Sequence, residues 1–124
     1  MKLSDKTLAE LIDHYIKQVD ITNKIDYLDK KTVRANNKAV HTMYQIVELF
    51  NSKFGDEGIK SFAKLLDIKE KDTNLWVAAQ LLERMRPNEM LRDKALSIIK
   101  GIIASNHPSA TSFKIWLADW KNKS

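Results

Sequence analysis

The sequence predicts an all-α protein of about six helices. Apolar residues recur at three- and four-residue steps along nearly the whole chain, the period of an amphipathic helix. Only three glycines and two prolines occur in 124 residues, too few punctuators for a turn-rich β architecture. A longer helix, a short turn and a partner helix recur at an offset of about 35 residues, close to the periods of helix-pair repeats. Two stacked helical hairpins with an extra helix at each end is the expected arrangement, in one domain over residues 1–124.

The first helix is expected over about residues 5–20, capped by Ser4, with Leu8, Leu11, Ile12, Tyr15, Ile16 and Val19 on its apolar face. Asp13 and Lys17 form an i,i+4 pair on the opposite face. The segment DITNKIDYLDKK that follows is polar and without strong periodicity, a connector or a frayed extension. A second helix over about 31–51 carries Val33, Val40, Met43, Tyr44, Val47 and Phe50 in one stripe. Asn37 falls on that stripe, where a buried amide needs a partner. Gly55 stands where a left-handed C-terminal cap is common. Asp56 and Glu57 then open a short third helix, with two acids suited to the helix dipole.

Asp72 or Thr73 caps the fourth helix, whose stripe is Leu75, Ala78, Ala79, Leu82 and Met85, and Pro87 ends it. A fifth helix runs over about 88–104. The break Asn106-His107-Pro108-Ser109 precedes a sixth, lined by Phe113, Trp116, Leu117 and Trp120. Ala78 and Ala79 allow a close helix approach, and Trp76 beside them is expected to fill the gap between hairpins while its N–H reaches a polar group.

Composition narrows the function more by exclusion than by assignment. The chain is 44% apolar and 30% charged, ordinary for a globular protein. The absence of cysteine removes disulfides, thiol nucleophiles and thiolate zinc sites, and a reducing cytoplasmic setting is the expectation. Asp5, Glu10 and Asp13 interrupt the region where a signal peptide needs an unbroken apolar core. No run approaches the roughly 20 apolar residues of a membrane span. The histidines, His14, His41 and His107, have no second ligand at metal-binding spacing, and no nucleophile elbow or phosphate-cradling glycine loop occurs. No catalytic residue, metal or cofactor is therefore assigned, and a binding role is favoured over an enzyme.

The net charge of +5 is unevenly placed. Residues 1–29 hold four lysines against six acids, whereas residues 30–64 hold seven basic groups against three acids. Two opposed patches meet at this boundary. Asp20, Asp26 and Asp29, with Tyr27 as an aromatic anchor, suit a basic partner surface. Lys30, Lys31, Arg34 and Lys38 suit an acidic partner or a phosphate backbone.

The segments RANNKAVHTMYQIVELF, IKSFAKLLD, NLWVAAQLL and IWLADW, in that order and spacing, resemble a family of small bacterial HEAT-like helical proteins known only as domain of unknown function two-thousand-and-nineteen. The resemblance covers about residues 5–121 and rests on Asn37, on Leu75, Trp76, Ala78 and Ala79, and on Trp120. The family pattern has an acid four residues after the Asn; His41 stands there, so a role built on that acid does not carry over. The resemblance implies a HEAT-like scaffold that binds macromolecules, and, for some relatives, immunity against a bacterial toxin domain, as in contact-dependent growth inhibition. The expectation is a toxin-binding immunity protein that contacts its partner through residues 20–38, with nucleic-acid binding as the alternative.

Overall fold

The computed structural model describes residues 2–123. It contains six α-helices and, among the described residues, no strand: α1 Leu8–Thr22, α2 Lys30–Ser52, α3 Gly55–Ala63, α4 Thr73–Arg84, α5 Glu89–Ile103 and α6 Ala110–Lys123. Short 3₁₀ turns cover Leu3–Asp5, Lys64–Asp67 and Glu70–Asp72. No helix of the described residues is long and apolar enough to cross a membrane. The most extensive contacts join α1 to α2 and α4 to α5. The second helix thus takes its main partner from the first, not from the third as the repeat suggested.

Local chemistry explains where each helix begins. α1 starts at Thr7 rather than Ser4, because Thr7-Leu8-Ala9-Glu10 forms a capping box. The Glu10 N–H donates to Thr7 Oγ1 (3.2 Å) while the Thr7 N–H donates to Glu10 Oε1 (2.9 Å), satisfying two donors that a helix start leaves open. These bonds also hold the Glu10 carboxyl below its ordinary pKa. Asn88 caps α5 by accepting the Leu91 N–H at 2.9 Å. Asp13 and Lys17 pair at 3.0 Å on the wet face of α1.

Gly55 adopts the left-handed backbone (φ +57°) between α2 and α3. α4 has no side-chain cap: Asp72 precedes it with φ +58° and turns its carboxylate elsewhere, while Thr73 lies inside the helix and donates to the Glu70 carbonyl at 2.8 Å. The same helix ends at Arg84, short of Pro87, with Met85 extended. Pro87 disfavours the helical region for Arg86, the residue before it; the helix has already ended two residues earlier, at Arg84.

The core gathers Leu11, Tyr15 and Val19 of α1, Met43, Ile46, Val47 and Phe50 of α2, Phe62 of α3, and Val77, Ala78 and Leu81 of α4. Phe62 sits at its centre, edge-to-face with Tyr15 (5.0 Å, 84°) and 5.3 Å from Phe50. The Tyr15 hydroxyl donates to Gln80 Oε1 at 2.5 Å, an inter-helix bond buried between α1 and α4. Burial and nearby Tyr44 push the Tyr15 phenol well above its usual pKa, which favours the protonated hydroxyl that donates to Gln80.

Asn37 is exposed, contrary to its place on the predicted stripe. The buried line on α2 runs through Ala39, Met43, Ile46 and Phe50. Two residues correspond to about 200° of helix rotation, which turns Asn37 away from Ala39.

Two glycines in helices make opposite predictions. A Cβ at Gly58 would lie 2.1 Å from the Phe50 carbonyl oxygen and 2.9 Å from Phe54 Cβ, whereas one at Gly101 meets nothing within 4 Å. In urea denaturation Gly101→Ala is expected to stabilise by about 0.5–1 kcal/mol, and Gly58→Ala to destabilise despite its better helix propensity. Tyr15→Phe, which strands the Gln80 carbonyl, is expected to cost about 1–3 kcal/mol.

Candidate docking site

Between α1 and α2 the chain makes an ordered turn that holds two large apolar side chains in water. Tyr27 is 82% exposed and Leu28 96%. The turn beneath them is tied by side chains. Asp26 Oδ1 accepts the Leu28 N–H (3.0 Å), and the Asp29 N–H donates to the Asp26 carbonyl (2.9 Å). Thr32 Oγ1 accepts the Asp26 N–H (2.9 Å), and its hydroxyl hydrogen lies within 2.8 Å oxygen–oxygen reach of both the Asp26 and Asp29 carbonyls. Asp29 is the N-cap of α2, accepting the Lys31 N–H at 2.9 Å.

Each member of the predicted contact set can now be placed. Asp20 is pinned between Lys24 (3.1 Å) and Lys71, which reaches it from a corner 51 residues away. These two ammonium groups hold its carboxyl below the usual aspartate range, the Lys71 hydrogen bond being the larger cause. Asp26 and Asp29 each commit an oxygen to the backbone of the turn. The three acids thus help build the turn and its flank, with Asp26 and Asp29 still exposed to solvent.

The cations behave differently. Lys30, Lys31, Arg34 and Lys38 are all exposed, and among the described residues none enters an ion pair. Lys30, Arg34 and Lys38 follow one face at four-residue steps, spread over about 12 Å of helix. The first turn of α2 contains no acid, and two lysines there oppose the helix dipole by roughly 0.3–1 kcal/mol each. Stability alone would not choose them.

Beside Tyr27 lies a shallow recess of about 260 Å³, reaching Asn36, Lys71 and Trp76. Trp76 is half-buried against the edge of the core, and its indole N–H finds no hydrogen-bond acceptor among the described residues. It is part seam and part recess wall. Lys71 and Asp72, both left-handed (φ +54° and +58°), form the recess's far side, a conformation costly for a lysine. The corner is held by Asn23 Nδ2 donating to the Lys71 carbonyl (3.0 Å), by the Asp20–Lys71 pair, and by His107.

His107 Nε2 lies 3.1 Å from both Asp72 oxygens, and its Nδ1 accepts the Ser109 backbone N–H at 2.9 Å. An Asp–His pair beside serines invites comparison with the base half of a hydrolytic triad. Here the backbone N–H occupies the nitrogen that would take a serine proton, so the ring hydrogen sits on Nε2 facing Asp72. The pair works as a strut between the α5–α6 loop and the start of α4.

Sequence reasoning singled out Tyr27 but not Leu28 or Thr32. Leu28 was visible as an aliphatic residue without a periodic partner in a polar connector; the Thr32 bonds depend on the folded turn. Compared with family models, curated proteins and solved structures, the chain matches none of them.

The Asp20 pairing sets a pH dependence. Its lowered pKa means the contact contributes fully above the ordinary aspartate value of about 4 and is lost as pH falls further, through the lowered folded-state value. Asp20→Asn should flatten the acid limb of a stability–pH profile measured by thermal melting. Separately, Thr32→Ala should speed amide exchange of Leu28 and Lys31 in hydrogen-exchange NMR while leaving core protection unchanged.

Proposed function

We propose that this protein is a binding module without catalytic chemistry of its own, docking a partner protein through the Tyr27–Leu28 turn and the basic start of α2. The observation that carries this reading is a hydrogen-bonded turn presenting Leu28 at 96% and Tyr27 at 82% exposure. Burying a leucine is worth roughly 1.5–3 kcal/mol, an amount the isolated protein forgoes. Because the turn is already tied, docking orders little further backbone, which lowers the entropic cost of association. Tyrosine is among the residues enriched at interface hot spots, and here Tyr27 stands beside an apolar side chain and is rimmed by charge.

The unpaired cations suit an acidic partner surface and would steer its approach. Phosphate backbone would answer the same charges. Leu28 favours protein over nucleic acid, since phosphate contacts ask nothing of an exposed aliphatic side chain. For the identity of the partner, the family resemblance of the helical segments supports a bacterial toxin domain. On that reading the protein is an immunity protein, covering the toxin's active cleft or substrate surface with a preformed helical face.

A photo-crosslinking residue placed at Tyr27 in living cells tests the proposal. One protein is expected to crosslink, to arrest growth when expressed alone, and to be tolerated when this chain is co-expressed. Leu28→Glu should weaken that complex by at least about 30-fold, the effect of a hot-spot residue worth roughly 2 kcal/mol, with an unchanged melting temperature. Crosslinking to RNA or DNA without a protein partner would overturn the reading in favour of nucleic-acid binding. A partner without toxicity would leave the docking surface standing and remove the immunity role.

A further inference from the structure

A second groove, of about 320 Å³ and sharing Trp76 and Asp72 with the Tyr27 recess, runs between α4 and α6. Its walls are aromatic: Trp76 from α4, Phe113 and Trp116 from α6, and Tyr44 from α2. Trp116 spends its indole N–H on Glu83, so it offers the groove a ring rather than a donor. The volume sits near the lower end of small-molecule pockets, about 300–1,000 Å³.

Gln80 belongs to the lining of this groove and is 1% exposed. Its Oε1 accepts the Tyr15 hydroxyl, while its Nε2 is buried without a hydrogen-bond partner among the described residues. Reversing the amide does not remove the problem. Nε2 would then donate one hydrogen to the Tyr15 oxygen, leaving its second N–H, the Tyr15 hydroxyl hydrogen and Oε1 all open, against only the two N–H hydrogens otherwise. A buried polar group without a partner is rare in folded proteins and calls for a physical explanation. Its desolvation has already been met in the empty protein, and the nitrogen is closed off from the groove as it stands; an acceptor meets it only when the amide turns toward the groove, and the bond then made carries no further desolvation cost.

We propose that the α4–α6 groove is a binding site for a small planar heteroaromatic molecule, uncharged or cationic, whose ring nitrogen or carbonyl oxygen accepts from Gln80 Nε2. The aromatic walls select a flat, π-bearing ligand. Among the described residues the carboxylates of the rim are Asp72 and Glu83 and no lysine or arginine lines the groove, the Arg84 guanidinium lying over the Tyr44 ring at 4.7 Å; two carboxylates against that one committed cation disfavour anions. A nucleobase or nicotinamide-like ring fits these requirements; a nucleotide phosphate does not.

The test is a titration of the full chain followed by ¹H–¹⁵N NMR, reading the indole N–H signals of the three tryptophans and the Gln80 side-chain amide. The probes are nicotinamide, nicotinate, adenine and AMP. Nicotinamide or adenine is expected to shift Trp76, Trp116 and Gln80 saturably at concentrations of up to about 5 mM, with nicotinate and AMP at least about tenfold weaker. Ser112→Trp, a change at an exposed residue of the groove, should fill the site and abolish the shifts without altering the fold. Tyr15→Phe/Gln80→Leu, which removes both partners of the buried bond together, should weaken binding about tenfold. The proposal is overturned by no saturable shift with any probe, by nicotinate binding as tightly as nicotinamide, or by undiminished binding to the Ser112→Trp variant.

Discussion

The buried bond from Tyr15 to Gln80 is the constraint around which the helices are arranged. Among the described residues it is the one fully buried hydrogen bond between two side chains, and both groups are almost wholly withdrawn from water. A polar pair in that position penalises any packing that separates it, because each group alone would stay desolvated and unpaired. Tyr15 also stacks edge-on against Phe62, which in turn meets Phe50. One side chain therefore sets the mutual positions of α1, α2, α3 and α4.

The sixth helix is attached by different means. Of its described residues only Leu117 is buried. Trp116 and Trp120 lie with rings nearly parallel (8°, 6.1 Å between centroids), and the Trp120 N–H donates to the Leu82 carbonyl at 3.2 Å. Arg92 of α5 stands over the Trp120 ring at 5.5 Å. Indole donors reaching the last turn of α4 hold α6 beside that helix without closing the seam between them. The open seam is the groove that Gln80 floors, so the means of attachment and the presence of a cavity have one origin.

The turn between α1 and α2 reverses the usual economy of a small protein. Hydrogen-bonding capacity from Asp26, Asp29 and Thr32 is spent on fixing a segment whose apolar side chains face water. Lysines stand at the positive end of the helix that follows. Both features lower the stability of the isolated chain, and both become favourable against an acidic partner with an apolar socket. Local departures from what stability would choose are more informative about function than the well-formed core.

Much of the local structure was legible in the order of residues. The three- and four-residue period located all six helices, and Gly55 announced the left-handed junction before α3. The Asp13–Lys17 pair needed only the helix between its partners. Even the misjudged start of α1 was readable, since Thr7 and Glu10 stand at capping-box spacing. These features are local: a helix closes its bonds over four residues, and its caps lie within one turn.

What lay beyond the sequence depends on which helices meet. Asn37 shared an apparent stripe with Val33 and Val40, and only the packing of α1 against α2 decided that the buried line passes through Ala39 instead. The charge of Asp20 is legible, but its occupation by Lys71 requires a corner 51 residues away to arrive beside α1. Gln80 looks like any polar residue of an amphipathic helix until Tyr15 claims one end of its amide and the core closes over the other. The sequence by itself determined the helices because their hydrogen bonds are made between near neighbours. Tertiary structure alone decided which polar groups are satisfied and which are left open, because burial and pairing arise from surfaces that the chain brings together only once it has folded.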